Sequence, residues 1–435
     1  MLDAAPAGRG FLFLQGMATR FFERLGGALG ERGHAVHRVN FNGGDRAFWR
    51  LPGAVDFCGR EHEWPDFLDQ LIVEKSISDV VLFGDCRPLH RAAIRVAEGR
   101  LLRVHVVEEG YLRPDWIAFE EGGVNGRSTL PRDPDWYRER AHSLPPWRDP
   151  PAVPGSFRRR AVEDILYTAA SMAGMWRFPH YATHRPYHQL IEYAGWLRRL
   201  ALRRQAERRA AAAIEGLRQH GELLFLFPLQ LDCDYQVRVH SPFRAMHLAI
   251  EHVLDSFARY APAAAHLVVK LHPLDSGLVD WAAITGHLAA ELGIAERLTI
   301  IDGGDLGKLL ARKPAIVTVN STVGTLALAS GLPVIALGKA VYDIAGLTFQ
   351  GELDEFWSTQ TPPDAELFDA FRRVLAARCL IPGSFFNEIG LTLAVNAAVE
   401  RLEAAYARPA SSEGALLEAA PAGAGEPIAA ATSIR

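Results

Sequence analysis

Short, wholly apolar runs alternate along this chain with stretches whose apolar residues recur every three or four positions. The first run is Phe11-Leu12-Phe13-Leu14, ending in Gln15-Gly16. It predicts a buried strand, and Ala18–Glu31 predicts a helix with Phe21, Phe22, Leu25 and Leu29 on one face. Gly33 stops that helix, and His34–Phe41 reads as a second strand. Further strands are expected at Asp79–Asp85 and Leu102–Val107, separated by a helix over Pro88–Gly99. The alternation returns at Leu223–Phe227, Leu267–Leu271, Leu298–Ile301, Pro314–Val319 and Pro333–Gly338. The helices of this second array are predicted to run from a Ser241-Pro242 cap to Tyr260, over Leu278–Leu292, and from Asn320 to Ser330. A long final helix is expected over Pro382–Ala405. Strands alternating with helices point to parallel sheets.

Between the arrays the pattern changes. Pro145, Pro146, Pro150, Pro151 and Pro154 mark a linker. A basic, aromatic, helical stretch follows, with Arg158, Arg159, Arg160, Trp176, Arg177, Tyr181, Arg185, Tyr187, Tyr193, Trp196, Arg198, Arg199, Arg203 and Arg204. Such a stretch suits an anionic membrane surface or simply covers a soluble protein. The expected fold class is therefore α/β, with two Rossmann-like domains facing across a cleft. The expected boundaries are 8–135 for the first domain, 136–220 for the basic segment, 221–380 for the second domain, 381–407 for the last helix and 408–435 for a disordered tail.

Bulk properties narrow the classes. The chain has 435 residues, 49% of them apolar, and a net charge of -4. That balance argues against a nucleic-acid partner. Four scattered cysteines without a C-x-x-C pair exclude a disulfide scaffold or zinc ribbon. Residues 1–10 lack the apolar core of a signal peptide. No apolar run reaches the roughly 18 residues of a membrane span.

Candidate chemistry clusters at the carboxyl ends of predicted strands, where ligands bind in open α/β sheets. Lys270 and His272-Pro273 end one strand, and Pro273 prevents its continuation. Both side chains suit a phosphate or carboxylate, although a plain surface histidine has the same pattern. Glu108-Glu109 end another strand. Adjacent carboxylates point to opposite faces, so one is expected in a cleft as a general acid or base, unless both form a solvated turn with Arg113. Asn320-Ser321-Thr322 offers hydroxyls and amides for an anion or serves as a plain cap. Gly16 permits close approach of a ligand, but G-x-G-x-x-G is absent, so a dinucleotide is not indicated. Asn42-Gly43-Gly44-Asp45 reads as a connection, with a substrate loop as the alternative. Asp232-Cys233-Asp234 spells D-x-D, which in metal-dependent transferases holds a divalent cation. The two-domain pattern favours a metal-free site, with Asp234 as a cleft carboxylate. A phosphate held by His272 and Ser321/Thr322, opposite a carboxylate from the other domain, is the layout of a two-domain nucleotide-sugar transferase, which makes the expected fold GT-B-like.

An ordered set of motifs makes this more specific. Glu108-Glu109-Gly110-Tyr111-Leu112-Arg113-Pro114-Asp115, Pro228-Leu229-Gln230 with Asp234-x-Gln236, His240-Ser241-Pro242-Phe243, Lys270-Leu271-His272-Pro273 and Asn320-Ser321-Thr322-Val323-Gly324 resemble the KpsS/LipB-type capsule polysaccharide proteins. Gly338-Lys339-Ala340-Val341-Tyr342, Gly346-Leu347-Thr348 and Leu353-Asp354-x-Phe356-Trp357 extend the likeness to roughly residues 10–405. The resemblance implies a β-Kdo transferase that uses CMP-Kdo as donor, without metal or other cofactor, and starts a Kdo linker on (lyso)phosphatidylglycerol. It implies a cytoplasmic protein at the inner-membrane surface, working beside capsule synthesis and ABC-exporter proteins. It places His272, Ser321 and Thr322 on the CMP phosphate, an aspartate matching Asp234 as the nucleophile of a retaining reaction, and Glu109 as acid/base. Asp232 departs from the pattern, and the choice of Asp234 rests on the Asp-x-Gln spacing to Gln236. The motifs are also similar to those of bacterial sialyltransferases. A non-catalytic factor in capsule export is the reading from another class.

Overall fold

The computed structural model describes residues 8–183, 187–217 and 223–406. Residues 1–7, on which the leader expectation partly rests, Arg185, the 218–222 boundary and the 408–435 tail lie outside them. The N-terminal sheet is built from β1 (Gly10–Phe13), β2 (Ala35–Asn40), β3 (Ala54–Asp56), β4 (Asp79–Phe83), β5 (Arg103–Glu109) and β6 (Trp116–Glu121). The second sheet holds β7 (Leu224–Pro228), β8 (His266–Lys270), β9 (Leu298–Ile301), β10 (Ala315–Thr318) and β11 (Val334–Ala336), and β12 (Leu380–Pro382) returns to the first. The orders are β12-β6-β5-β4-β1-β2-β3 and β11-β10-β7-β8-β9. All pairs are parallel except β5–β6 and β6–β12.

The apolar runs become strands because both of their faces are covered. Phe11, Phe13, Val81, Phe83 and Val107 pack with helices Phe21–Glu31 and Glu388–Tyr406, while Leu12, Val80, Leu82 and Val106 meet helices Trp64–Glu74 and Pro88–Gly99. In the second sheet Phe225, Phe227, Leu267 and Val269 pack against helix Met246–Tyr260 and Trp357. Each large side chain buried this way stabilises the fold by roughly 1.5–3 kcal/mol relative to exposure. Thr325 Oγ1 donates 2.8 Å to the Tyr111 carbonyl and so joins the two halves directly.

Three differences from the pattern-based expectations have physical causes. The second domain does not run to 380: helix Ala365–Arg378 packs on helix Pro134–Ala141, and β12 pairs antiparallel with β6. The chain therefore crosses back to the first domain before its last helix, which begins at Glu388 rather than Pro382. Ser241-Pro242 does not cap the next helix. Ser241 Oγ accepts from Phe243 N, and the helix starts at Met246, whose amide donates 2.7 Å to Asp232 Oδ1. Strands β3 and β6 carry weak patterns of their own, because their register is supplied by their neighbours.

Candidate active site

All twelve singled-out residues line one cavity of about 1130 Å³ between the carboxyl ends of the two sheets. Gly16, Glu108, Glu109 and Arg113 come from the N-terminal half. Asp234, Gln236, Lys270, His272, Pro273, Asn320, Ser321 and Thr322 come from the C-terminal half. Glu109 and His272, far apart in the chain, share this hollow.

Glu108 and Glu109 are the last two residues of β5, paired with Ala118 and Ile117 of β6. Strand alternation sends them to opposite faces. Gly110 must be glycine there, because a Cβ would lie 2.2 Å from the Trp116 carbonyl oxygen. Glu109, on the face of Val107, accepts from Arg113 Nη2 at 2.7 Å and from Arg160 Nη1 at 2.8 Å. Burial alone would raise its pKa, but the two guanidiniums hold it down to about 2. Glu108, on the face of Val106, has no such partner. Burial, followed by the charges of Glu109 and Asp234, pushes it up to about 8, against the Glu109 N–H that donates to it. Two neighbouring carboxyls thus hold opposite protonation states at neutral pH.

Asp234 Oδ1 accepts from Gln236 N at 2.9 Å, which fixes the carboxylate at the start of a short helical turn. Burial and then Glu109 raise its pKa to about 6, so it is mostly ionised at pH 7. Asp232 is engaged differently, holding the first amide of helix Met246–Tyr260. The two aspartates of the D-x-D tripeptide are therefore each committed to a different backbone amide.

Burial, followed by Arg113, lowers the His272 pKa to about 4. The ring is neutral at pH 7, and its Nδ1 accepts from Leu274 N at 3.1 Å, which leaves the proton on Nε2. His272 thus offers a neutral N–H donor rather than the cation its residue type suggests. Lys270 is 7% exposed, and burial lowers its pKa. Arg199, from helix Gln189–Gly216, bonds Asp302 and the His272 carbonyl, which ties that helix to the site. Asn320 is fully engaged with Gln230, the Gln236 carbonyl and the His240 carbonyl. Ser321 N donates to Thr318 Oγ1, and its Oγ accepts from Val323 N. These two residues shape the loop, and among the described residues the Thr322 hydroxyl beside them makes no hydrogen bond.

Sequence reasoning missed part of the wall. Arg160, Asp164, Tyr167 and Ser171 of helix Phe157–Ala173 face the cavity. The Tyr167 hydroxyl accepts from Gln15 Nε2 and Asn42 Nδ2 and donates to Asp45 Oδ1. The signal was a polar stripe at helical spacing, hidden within a basic run. Asn42-Gly43-Gly44-Asp45 is accordingly more than a connection: it begins the short helix Gly43–Ala47, which packs against that stripe.

Two α/β domains with parallel cores, whose strand ends converge on one cavity of ionisable groups, define a GT-B-like, glycosyltransferase-like architecture. The chain belongs to the capsule polysaccharide biosynthesis protein family, whose profile matches residues 78–386. It is 34% identical over 390 residues to the capsule polysaccharide export protein KpsS of Escherichia coli, covering 88% of this chain and 99% of that one. It is 35% identical over 387 residues to the capsule polysaccharide modification protein LipB of Neisseria meningitidis serogroup B, covering 87% and 92%. Among solved structures, a glycosyltransferase from Rickettsia africae overlaps 92% of this chain and 100% of its own at 9% identity and a TM-score of 0.35. The UDP-bound MnaA of S. aureus overlaps 91% and 95% at 10% identity and 0.31. Among the described residues no helix is long and apolar enough to cross a membrane.

Proposed function

We propose that this chain is a retaining glycosyltransferase that moves a β-Kdo residue from CMP-Kdo onto (lyso)phosphatidylglycerol, starting the lipid-linked end of a capsular polysaccharide. The observation that carries the reading is the meeting, in one cavity, of an ionised Asp234, a protonated Glu108 and the Lys270/His272 strand end. In the first step an Asp234 oxygen bonds to the anomeric carbon. The bond to the CMP phosphate breaks, and its electron pair leaves on that phosphate. Lys270 and the Nε2–H of His272 stabilise the departing charge, with the Thr322 hydroxyl alongside. Glu108 gives its proton to solvent once Asp234 is esterified. In the second step the acceptor hydroxyl attacks the same carbon, its proton passes to the Glu108 carboxylate, and the Asp234 carboxylate is released.

The family resemblance pointed to Glu109 as acid/base, but its surroundings favour Glu108. A carboxyl held near 2 by two arginines is a poor proton acceptor, whereas one near 8 is matched to neutral pH. Esterification of Asp234 removes one of the negative charges that raise Glu108, so Glu108 sheds its proton more readily when a base is needed. Glu109 then holds Arg113 and Arg160 beside the anionic donor. No metal is assigned to this reaction, since each D-x-D aspartate holds a backbone amide.

The acceptor side is apolar. Phe157, Ile165, Trp196, Leu197 and Leu200 line the cavity from the two long helices. Leu197 is 69% exposed on helix Gln189–Gly216, and Trp176, in the turn after helix Phe157–Ala173, is 77% exposed; both helices carry several arginines. That combination suits an acyl chain entering from an anionic inner-membrane surface, where capsule synthesis and ABC-exporter proteins would be its partners. The test is incubation of the purified chain with CMP-Kdo and a short-chain lysophosphatidylglycerol. CMP release with a lipid mass gain of one Kdo is expected. No CMP release would favour a non-catalytic export factor, and turnover of CMP-sialic acid in place of CMP-Kdo would favour a sialyltransferase.

A further inference from the structure

At the inner end of the cleft, Asp85 and Cys86 follow β4 of the N-terminal sheet, and His240 reaches them from the C-terminal half. The three are 2%, 6% and 3% exposed. Cys86 Sγ lies 3.2 Å from His240 Nε2 and 3.1 Å from Asp85 Oδ1, and the three ligand atoms all lie within 4.8 Å of one another. Zinc bonds sulfur at about 2.3 Å and nitrogen or oxygen at about 2.0–2.1 Å, so a tetrahedral centre separates such atoms by about 3.5 Å. The two separations to the sulfur need only a few tenths of an ångström of expansion.

The surroundings hold the ligands in place. The Asp85 Oδ2 atom accepts from Val124 N at 3.2 Å, and Arg127 Nη1 donates to the Asp85 carbonyl. The His240 carbonyl accepts from Lys339 N at 2.7 Å and its N–H donates to Tyr235 O, which aims the imidazole. A Cβ at Gly126 would lie 2.4 Å from His240 Nδ1, so the glycine lets the ring enter the opposite domain. Asp85 forms no ion pair among the described residues. A carboxylate buried this deeply without a cation is costly, and a divalent ion removes that cost.

We propose that Asp85, Cys86 and His240 form a binding site for a thiophilic divalent cation of the zinc class, which pins the two domains together at the inner end of the cleft. One thiolate, one imidazole and one carboxylate suit zinc, and Asp85 and Cys86 border the cavity, which supplies an entry path and a water for the fourth position. On binding, the Cys86 proton is released to solvent and a metal–sulfur bond replaces the hydrogen bonds of the thiol. Asp85 and Cys86 border the same cavity as Glu108, but none of the three ligands takes part in the proposed transfer, so metal binding can hold or fail whatever the outcome of the transferase test.

The test is cobalt(II) titration of the chelator-treated full chain. A thiolate-to-cobalt charge-transfer band saturating at one ion per chain, displaced by zinc, is expected in the wild type, and zinc should raise the thermal unfolding midpoint. Cys86→Ser should abolish the band and the midpoint shift, while Cys58→Ser and Cys233→Ser should leave both. His240→Ala should weaken cobalt binding from the other domain. A wild type without the band, or a band that survives Cys86→Ser, overturns the site and leaves a hydrogen-bonded trio. The wild-type titration decides this even if a variant fails to fold.

Discussion

Strands β5 and β8 end on opposite walls of the same cavity, and burial acts on both, yet the two ends carry charge differently. At the end of β8, burial lowers the pKa of His272 and Lys270, and His272 is left neutral. At the end of β5, the same force acts on Glu108 and Glu109, but only Glu108 yields to it. Glu109 keeps its charge because Arg113 and Arg160 replace the water it loses. Desolvation favours the neutral form of any ionisable group, and a paired counter-charge is what reverses it. Residue type therefore says less about charge here than the presence or absence of a guanidinium.

The sharpest break should come at Asp234. Asp234→Asn is expected to lower kcat by about 10⁴-fold or more while CMP still binds, read as CMP release from CMP-Kdo. A variant retaining turnover would show that this carboxylate is not the nucleophile. Glu108→Gln should cost roughly 10²–10⁴-fold, and Glu109→Gln less. If Glu109→Gln proves the more damaging for kcat, the proton belongs to Glu109 and the contrast at the end of β5 has been misassigned.

The pH profile sharpens the same comparison. Asp234 must be ionised to attack and Glu108 ionised to accept a proton, so both raised pKa values predict activity that rises with pH. The rise should pass through about 6 and continue towards 8, and Glu108→Gln should remove the upper part. Activity falling across that interval would contradict both roles. On the other wall, His272→Ala should weaken CMP binding about tenfold, the value of one hydrogen bond to a charged group, measured by calorimetry; unchanged affinity would count against contact with the phosphate. The smallest effect is expected at Asp232. Asp232→Ala should lower stability by about 1 kcal/mol through loss of the Met246 amide contact, seen in the denaturation midpoint, with kcat little changed.

Much of this arrangement was legible in the residues alone. The runs at Phe11, Val80, Leu224 and Val268 are apolar on both faces, a pattern suited to a strand covered on both sides. Pro273 marks where one strand must give way and the end of the apolar run at Val107 marks the other, which put Lys270, His272 and the two glutamates at sheet ends. The parts that were not legible depend on partners distant in sequence. Arg160 looks like Arg158 and Arg159 until helix Phe157–Ala173 is laid against the N-terminal sheet. β12 is too short to announce itself and exists because β6 presents an unpaired edge. Cys86 and His240 each look unremarkable until the domains close.

By itself, then, the sequence determined the alternation of strands and helices, the strand ends and the identity of the groups placed there, because local periodicity and backbone limits are properties of short segments. The tertiary structure decided which groups meet and which of them keep a charge. Those outcomes depend on removal of water by segments distant in the chain and on groups such as Arg160 that approach from elsewhere; local partners such as Arg113 are within reach of Glu109, but the burial that gives them their effect is not.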